Sequence, residues 1–494
     1  MPGNTLYNES LLKAKTGYTI LAGETTLHSR YNPVLEAEKY IDSLSLMPYK
    51  YFILLEPGLG YLAAALKKRF PASQVISLHC SSFYNKNNSI LKNIDHNWIL
   101  NWDPLTPDSL EDFLEITLSD ADASDIKLIE WQPSVNIYGE TVLDLTSRTV
   151  ECIRLISAGR KTARNFGKRW FKNALHNLPL LHTTVSAFPG SAQILVCAAG
   201  PSLEEHLDEI AGWNRDNSQL LIVAVSSAAP ALLSRNIIPN IIITTDGGGW
   251  ARYHMTESLR NHGTSLNEMP VIASALTAIL PSQVKDHPVL ILHDGSLWQK
   301  ILLDAAGFCC FTSPQRGTVS ISALDLAFYL TSGEIFICGL DFAHRDILTH
   351  ARPYVFQNFM EQKQYRLTPF YSQLFERDEM IRGGGSHDIY ASWLTSHLDS
   401  FSGRLYSLGE SKYGIPLGKP ALKKGKKNRF TIQNNNRKTG KNYFIDILSD
   451  ALNNPRMEKQ LEKELGELLL PDIPNTDTGF TGELKKALLE FANG

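Results

Sequence analysis

Three stretches of the chain carry residue types at spacings that could do chemistry. The first is Ile194-Leu195-Val196-Cys197-Ala198-Ala199-Gly200-Pro201-Ser202-Leu203-Glu204-Glu205-His206-Leu207. An apolar strand gives way to a turn of small residues, and the pattern starts a helix at or just after Ser202. Small side chains let a ligand approach the backbone closely. Ser202 could cap the helix or donate to a phosphate, and a helix N-terminus favours an anion. The same residues suit an ordinary structural turn with a serine cap equally well.

The second stretch is Gln315-Arg316-Gly317-Thr318-Val319-Ser320, which opens a helix of small and apolar residues. A strand, Ile335-Phe336-Ile337-Cys338, then delivers Gly339, Leu340 and Asp341 at its carboxyl end. An aspartate there is placed to hold a ribose or sugar hydroxyl, and it is also a common loop starter. The third is Gly383-Gly384-Gly385-Ser386-His387-Asp388, ahead of an apolar helical stripe of Ile389, Trp393, Leu394, Leu398 and Phe401. A helix N-terminus disfavours the imidazolium, so His387 would stay neutral and able to accept a proton near pH 7. A lone histidine at such a place can equally have no special role.

Elements of alternating type must position these residues. Apolar runs at 193–198, 220–225, 241–245, 271–273, 289–292 and 335–338 read as strands buried on both faces. Helical stretches such as 228–235 and 320–330 lie between them. This alternation predicts an α/β, doubly wound, Rossmann-like central domain whose ligands bind at the carboxyl ends of the strands. Upstream, Tyr51 to Leu55, the turn Glu56-Pro57-Gly58-Leu59-Gly60 and the helical Tyr61 to Lys68 form a strand–turn–helix, with further strands near 74–78, 98–100 and 126–131. That predicts a smaller α/β N-terminal domain.

The expected organisation is an N-terminal domain over 1–140, a basic helical connector over 141–185 and a catalytic domain over 186–416. A basic loop over 417–442 and C-terminal helices over 443–494 follow. The connector carries Arg160, Lys161, Arg164, Lys168, Arg169 and Lys172, a face that could touch nucleic acid but more commonly is solvated. The stretch after Pro416 holds seven lysines and reads as a mobile linker. The tail spaces Phe444, Ile447, Leu448 and Leu452, then Met457, Leu461, Leu465, Leu468 and Leu469, as amphipathic helices that need a surface to pack on.

Composition narrows the classes. At 494 residues and 43% hydrophobic content, two or three globular domains are expected. With 48 basic and 51 acidic side chains, nothing draws the chain as a whole to nucleic acid or anionic membrane. No signal-like N-terminus and no run of eighteen apolar residues is present, so a cytoplasmic protein without a membrane span is expected. Six scattered cysteines lack metal-ligand spacing; Cys197 and Cys338 sit in apolar runs and read as small buried hydrophobes.

The order CAAGPSLEEHL, ALLSRNIIPNIIITTDGG, GTVSISALDLAFYLTSGEIFICGLDFAH, THARPY and GRLYSLGESKYGIPLG resembles the motility-associated factor (Maf) flagellin glycosyltransferases. LHSRYNPVLEAEKYI and EPGLGYLAAAL are similar to that family's N-terminal domain. Its central domain is in turn similar to bacterial sialyltransferases that use a cytidine-monophosphate (CMP) sugar. The resemblance places nucleotide-sugar contacts on Gly200, Pro201, Ser202, Gly317, Thr318 and Asp341 and a catalytic base on His387; Asp246 and Ser320 are further candidate contacts, and His350 and His344 are the two alternatives for the base. Ala198 and Ala199 depart from the family's glycine and asparagine.

The implied activity is transfer of a nonulosonic, sialic-acid-like sugar, such as pseudaminic or legionaminic acid, from its CMP donor to Ser or Thr of flagellin, in support of motility. A monophosphate leaving group demands no metal, and Thr245-Asp246-Gly247 is not a DxD metal pair. Three rival readings stand beside it. A pterin-type diphosphokinase would hold Mg²⁺ on Asp246 and Asp341. An S-adenosylmethionine site would use the turn at Gly58. A non-catalytic flagellin-binding protein would use neither.

Overall fold

Fully buried apolar tetrapeptides and pentapeptides build the larger of the chain's two compact units, Arg164–Gly494. The computed structural model describes residues 9–81, 83–86, 95–99, 110–118, 121–187, 189–217, 219–259, 269–343, 348–369, 372, 390–391, 393–395, 398–401, 403–410, 413–421, 430–434, 440–471 and 479–493.

In chain order the strands are β1 (Glu9–Lys13), β2 (Tyr18–Ala22), β3 (Thr25–Thr26), β4 (Tyr51–Leu55), β5 (Gln74–His79), β6 (His96–Ile99) and β7 (Ile126–Glu130). Those of the larger unit are β8 (Thr183–Ala187), β9 (Ile194–Cys197), β10 (Leu221–Val225), β11 (Ile241–Thr244), β12 (Val271–Ala275), β13 (Pro288–His293), β14 (Cys310–Thr312), β15 (Ile335–Cys338), β16 (Leu405–Ser407) and β17 (Phe430–Asn434). Their sheet runs β16-β15-β9-β10-β11-β12-β13-β8-β17, with β14 beside β13. Every pair is parallel except β17 on β8. A parallel sheet must be covered on both faces, which is why β9, β10, β11 and β15 are buried throughout. This is the expected α/β architecture, built on a large and mostly parallel sheet.

Topology now locates a crevice. From β9 the chain adds β10, β11, β12 and β13 on one side in turn. It then returns through the helix Val319–Leu330 to place β15 on the other side of β9. The loops leaving β9 and β15 therefore diverge at a topological switch point, where open α/β sheets bind ligands.

The expected structureless linker needs correcting, and the C-terminal helices find the surface they require. The stretch 417–442 is not structureless, because Phe430–Asn434 forms β17, antiparallel to β8. Its lysine-flanked sequence hides a short edge strand, and charge around an edge guards against pairing with other chains. The C-terminal helices Lys441–Ala451, Glu458–Leu469 and Phe480–Asn493 belong to the core of this same unit. Phe444, Leu448, Leu461, Leu465, Leu484 and Leu488 are buried within the one apolar cluster that also contains the strands. Phe171 lies between Trp298 and Phe491, at 5.5 and 5.1 Å between ring centres.

The smaller unit, Met1–Ala163, has a parallel sheet in the order β6-β5-β4-β7 and an antiparallel β1-β2-β3 sheet. The 38-residue helix Glu140–Asn177 contains the boundary between the units. No helix among the described residues is long and apolar enough to cross a membrane.

Candidate active site at the β9–β15 switch point

Beyond their last paired residues, Cys197 and Cys338, the two strands hold together through the loops. The Ala198 amide donates to the Cys338 carbonyl and the Gly200 amide to the Gly339 carbonyl, both at 2.8 Å. This approach admits no side chain. A Cβ on Gly200 would lie 2.5 Å from Asp341 Oδ2, and one on Gly339 would lie 2.3 Å from the Ala198 carbonyl oxygen. Gly339 also has φ +75°, a region that favours glycine.

Ser202 and Asp341 complete the junction. The Ser202 hydroxyl donates to Asp341 Oδ1 at 2.6 Å, and the Ser202 amide donates to Oδ2 at 2.8 Å. Ser202 is thus not a helix cap; it sits in the 3-10 turn Pro201–His206, ahead of the α-helix Leu207–Asp216. The carboxylate takes both donors because it is buried and a buried charge must be hydrogen-bonded. The Tyr413 hydroxyl donates to the Asp341 carbonyl at 2.6 Å. Phe342, next in the chain, has φ +41°, a strained value for a side-chain-bearing residue. A cavity of about 200 Å³ opens here, lined among others by Ser202, His206, Gly339, Asp341, Glu410 and Tyr413.

The segment 349–352 is bolted to the same turn. The Ala351 amide donates to the Ala199 carbonyl at 2.8 Å. Arg352 reaches Glu204 through its amide at 2.8 Å and its guanidinium at 3.1 Å. His350 is half-buried, stacked on Tyr354 at 4.1 Å between centres and 4° between planes, with Nδ1 2.8 Å from the Thr349 hydroxyl.

Thr318 caps the helix Val319–Leu330 by accepting from the Ser320 amide at 3.4 Å. Gly317, at φ +75°, has Tyr390 so close that a Cβ would lie 2.4 Å from its ring. Arg316 pairs with Asp325 at 2.7 Å and covers the Trp393 ring at 4.8 Å. His387 and His344 lie outside the described residues, as does most of the lysine stretch, 422–429 and 435–439.

Asp246 is exposed and accepts from the Gly248 amide at 2.7 Å, closing its own turn after β11. It stands three strands from Asp341 in the order β15-β9-β10-β11, about 14 Å of sheet. The Asp341 carboxylate already holds Ser202. As placed, these two aspartates do not converge on one Mg²⁺, so the donor set of the diphosphokinase alternative does not fit.

The turn at Gly58 is filled from within. The Leu59 amide donates to His28 Nε2 at 3.0 Å, and a Cβ on Gly58 would lie 2.2 Å from that nitrogen. Burial holds the His28 imidazole down to about 3, so it accepts as a neutral ring. Glu56 turns its carboxylate onto the Cys80 amide at 2.7 Å and His79 Nδ1 at 3.3 Å. A cofactor seeking the amides of this turn meets a side chain already there, and the residues do not fit S-adenosylmethionine.

All six cysteines are free. Burial pushes the Cys197 thiol up to about 12, the behaviour of an inert core residue. Sequence reasoning missed Glu204, Arg352 and Tyr413 as parts of the junction. Glu204 and Arg352 are 148 positions apart, and nothing local joins them.

Comparisons with known proteins bear on the fold that carries this junction. Residues 168–346 match the model of the 6-hydroxymethylpterin diphosphokinase MptE-like family. An uncharacterized protein of Treponema pallidum (strain Nichols) is 27% identical over 292 residues, 59% of this chain and 62% of that protein. A second from the same organism is 25% identical over 366 residues, 69% of this chain and 60% of that protein. The chain thus spans about three-fifths of the length of these relatives. The solved MAf glycosyltransferase from Magnetospirillum magneticum AMB-1 is similar in fold, with a TM-score of 0.52 at 11% identity, covering 98% of this chain and 86% of that one. The resemblance carried by the order of the motifs is therefore also a resemblance of fold, to a Maf glycosyltransferase, across nearly the whole chain.

Proposed function

We propose that the chain is a glycosyltransferase that moves a nonulosonic acid from its CMP donor to Ser or Thr hydroxyls of flagellin. The observation that carries this reading is the junction at the β9–β15 switch point, where the Ala198–Ser202 turn is bonded to the strand end that presents Asp341. Such a crevice suits a nucleotide, and the likeness in fold to the MAf glycosyltransferase supports a sugar nucleotide among the candidates.

In the reaction the acceptor oxygen bonds to the anomeric carbon as the bond from that carbon to the phosphate oxygen breaks. The hydroxyl proton passes to an imidazole, and CMP leaves. Gly200, Pro201, Ser202 and Asp341 hold the nucleotide turn in shape. Thr318 and Ser320, at the start of a twelve-residue helix, supply dipole and hydroxyl stabilisation to the departing charge. His387 is the proposed base. Tyr390, three positions later in the sequence, packs on Gly317.

Purified chain, a CMP-nonulosonic acid and unmodified flagellin test the reading directly. Intact-protein mass spectrometry should show flagellin gaining the mass of the sugar. An unchanged flagellin mass with the donor consumed only by water would refute it. ATP-dependent diphosphate transfer to a pterin alcohol would move the assignment to the diphosphokinase reading that the match over 168–346 keeps in view.

A further inference from the structure

A second concavity, of about 850 Å³, lies in the larger unit and shares no lining residue with the crevice. Its walls come from Pro230 to Ile238, from the helix Ala251–Leu259 with the preceding Trp250, and from Pro353 into the helix Val355–Gln362. Trp250 gathers the aromatic lining, with ring centres 5.8 Å from Tyr253, 5.8 Å from Phe356 and 5.3 Å from Phe359. Among the described residues Trp250 is 56% exposed, Ile238 48% and Tyr253 45%. Large apolar groups exposed together in one concavity mark a binding surface.

The polar lining is Ser234, Asn236, Glu257, Ser258 and Gln362, and its two serine hydroxyls are engaged within their own segments. The Ser234 hydroxyl already donates to the Ala231 carbonyl and the Ser258 hydroxyl to the His254 carbonyl, each at 2.7 Å. Exposed aromatic walls framed by helices suit the apolar side chains of a polypeptide.

One wall of the groove is continuous with the nucleotide turn. Ala351 and Arg352 are bonded to Ala199 and Glu204, and Pro353 and Val355 already line the groove. Tyr354, between them, carries His350 on its ring and lies 5.4 Å from His254. From Ala351 to Val355 the chain reaches at most about 14 Å. A polypeptide in the groove therefore brings its neighbouring residues to the crevice.

We infer that this groove holds an apolar stretch of the acceptor polypeptide beside the hydroxyl to be modified. The inference rests on the glycosyltransferase reading and adds where the acceptor docks. Trp250→Ser and Phe359→Ser test it, since both side chains are exposed and their loss spares the core. The probe is fluorescently labelled, unmodified flagellin monomer, read by anisotropy, with CMP affinity measured in parallel by calorimetry. Each variant should bind flagellin about ten-fold more weakly or worse, as expected for loss of an aromatic anchor, at unchanged CMP affinity. Unchanged flagellin affinity in both variants, or no flagellin binding by the wild type, overturns the inference. The parent reading rests on a different readout, sugar transfer by the wild type. Transfer that proceeds with the groove variants unaffected sinks the groove alone.

Discussion

Ser202 gives both of its donors, hydroxyl and amide, to the two oxygens of Asp341, 139 positions further along the chain. The pair joins the loop that would cradle a phosphate to the strand end that would hold a sugar, so the two halves of the crevice cannot be tuned separately. A hydrogen bond to a charged group contributes about 1.5–3 kcal/mol. Ser202→Ala and Asp341→Asn should each lower stability on that scale and weaken CMP binding. The double variant should cost little more than the worse single one, because both remove the same contact. Additive losses in denaturant unfolding would show that the two residues act independently.

Most of the strand framework was legible because a strand buried on both faces is an unbroken apolar run, as at Ile194–Cys197 and Ile335–Cys338. Edge strands carry no such signal. Glu9–Lys13, Cys310–Thr312 and Phe430–Asn434 are short, and the first two are largely exposed. Gly200, Ser202 and Asp341 were each legible as single residues of the candidate site. Their mutual bonding was not, since it arises from β15 inserting beside β9 after a long excursion. Asp246 read as a partner of Asp341 only while the strand order was unknown.

The smaller unit should not bind S-adenosylmethionine. His28 occupies the Leu59 amide and the space against Gly58, and its ring packs on Tyr61 and Trp131 at 5.1 and 5.6 Å. Calorimetric titration of the full chain should give no heat of binding. A micromolar dissociation constant would mean that His28 vacates the turn.

Stability should fall with acid through His254. Burial pulls its imidazole down to about 4 from an ordinary 6.5, so the folded state keeps it neutral while the unfolded chain takes up a proton. The contribution is whole above pH 6.5 and is lost as pH falls towards 4, about 3 kcal/mol in all. Melting temperature measured from pH 7 to pH 4 should therefore drop more steeply for the wild type than for His254→Gln. Parallel slopes would place the acid sensitivity elsewhere.

Two histidines, His387 and His350, compete for the role of taking the acceptor's proton. A hydroxyl nucleophile is far too weak an acid to ionise near neutrality, so it needs an acceptor as its bond to the sugar forms. Removing a general base costs about 10²–10⁴ in rate. His350 is held against Tyr354 and beside the Ala199 turn, with Nδ1 engaged by Thr349; that fixed ring is what a base requires. His387 draws its claim from the resemblance and from the glycine run before it. His387→Ala should remove most transfer while CMP affinity, which a base on the acceptor does not touch, stays the same. His350→Ala should then lower the rate modestly. The reverse result, with His387→Ala near wild type and His350→Ala nearly inactive, would assign the base to His350 and make Tyr354 the residue that aims it. Flagellin modification by the two variants, followed over time by mass spectrometry at saturating donor, separates these outcomes.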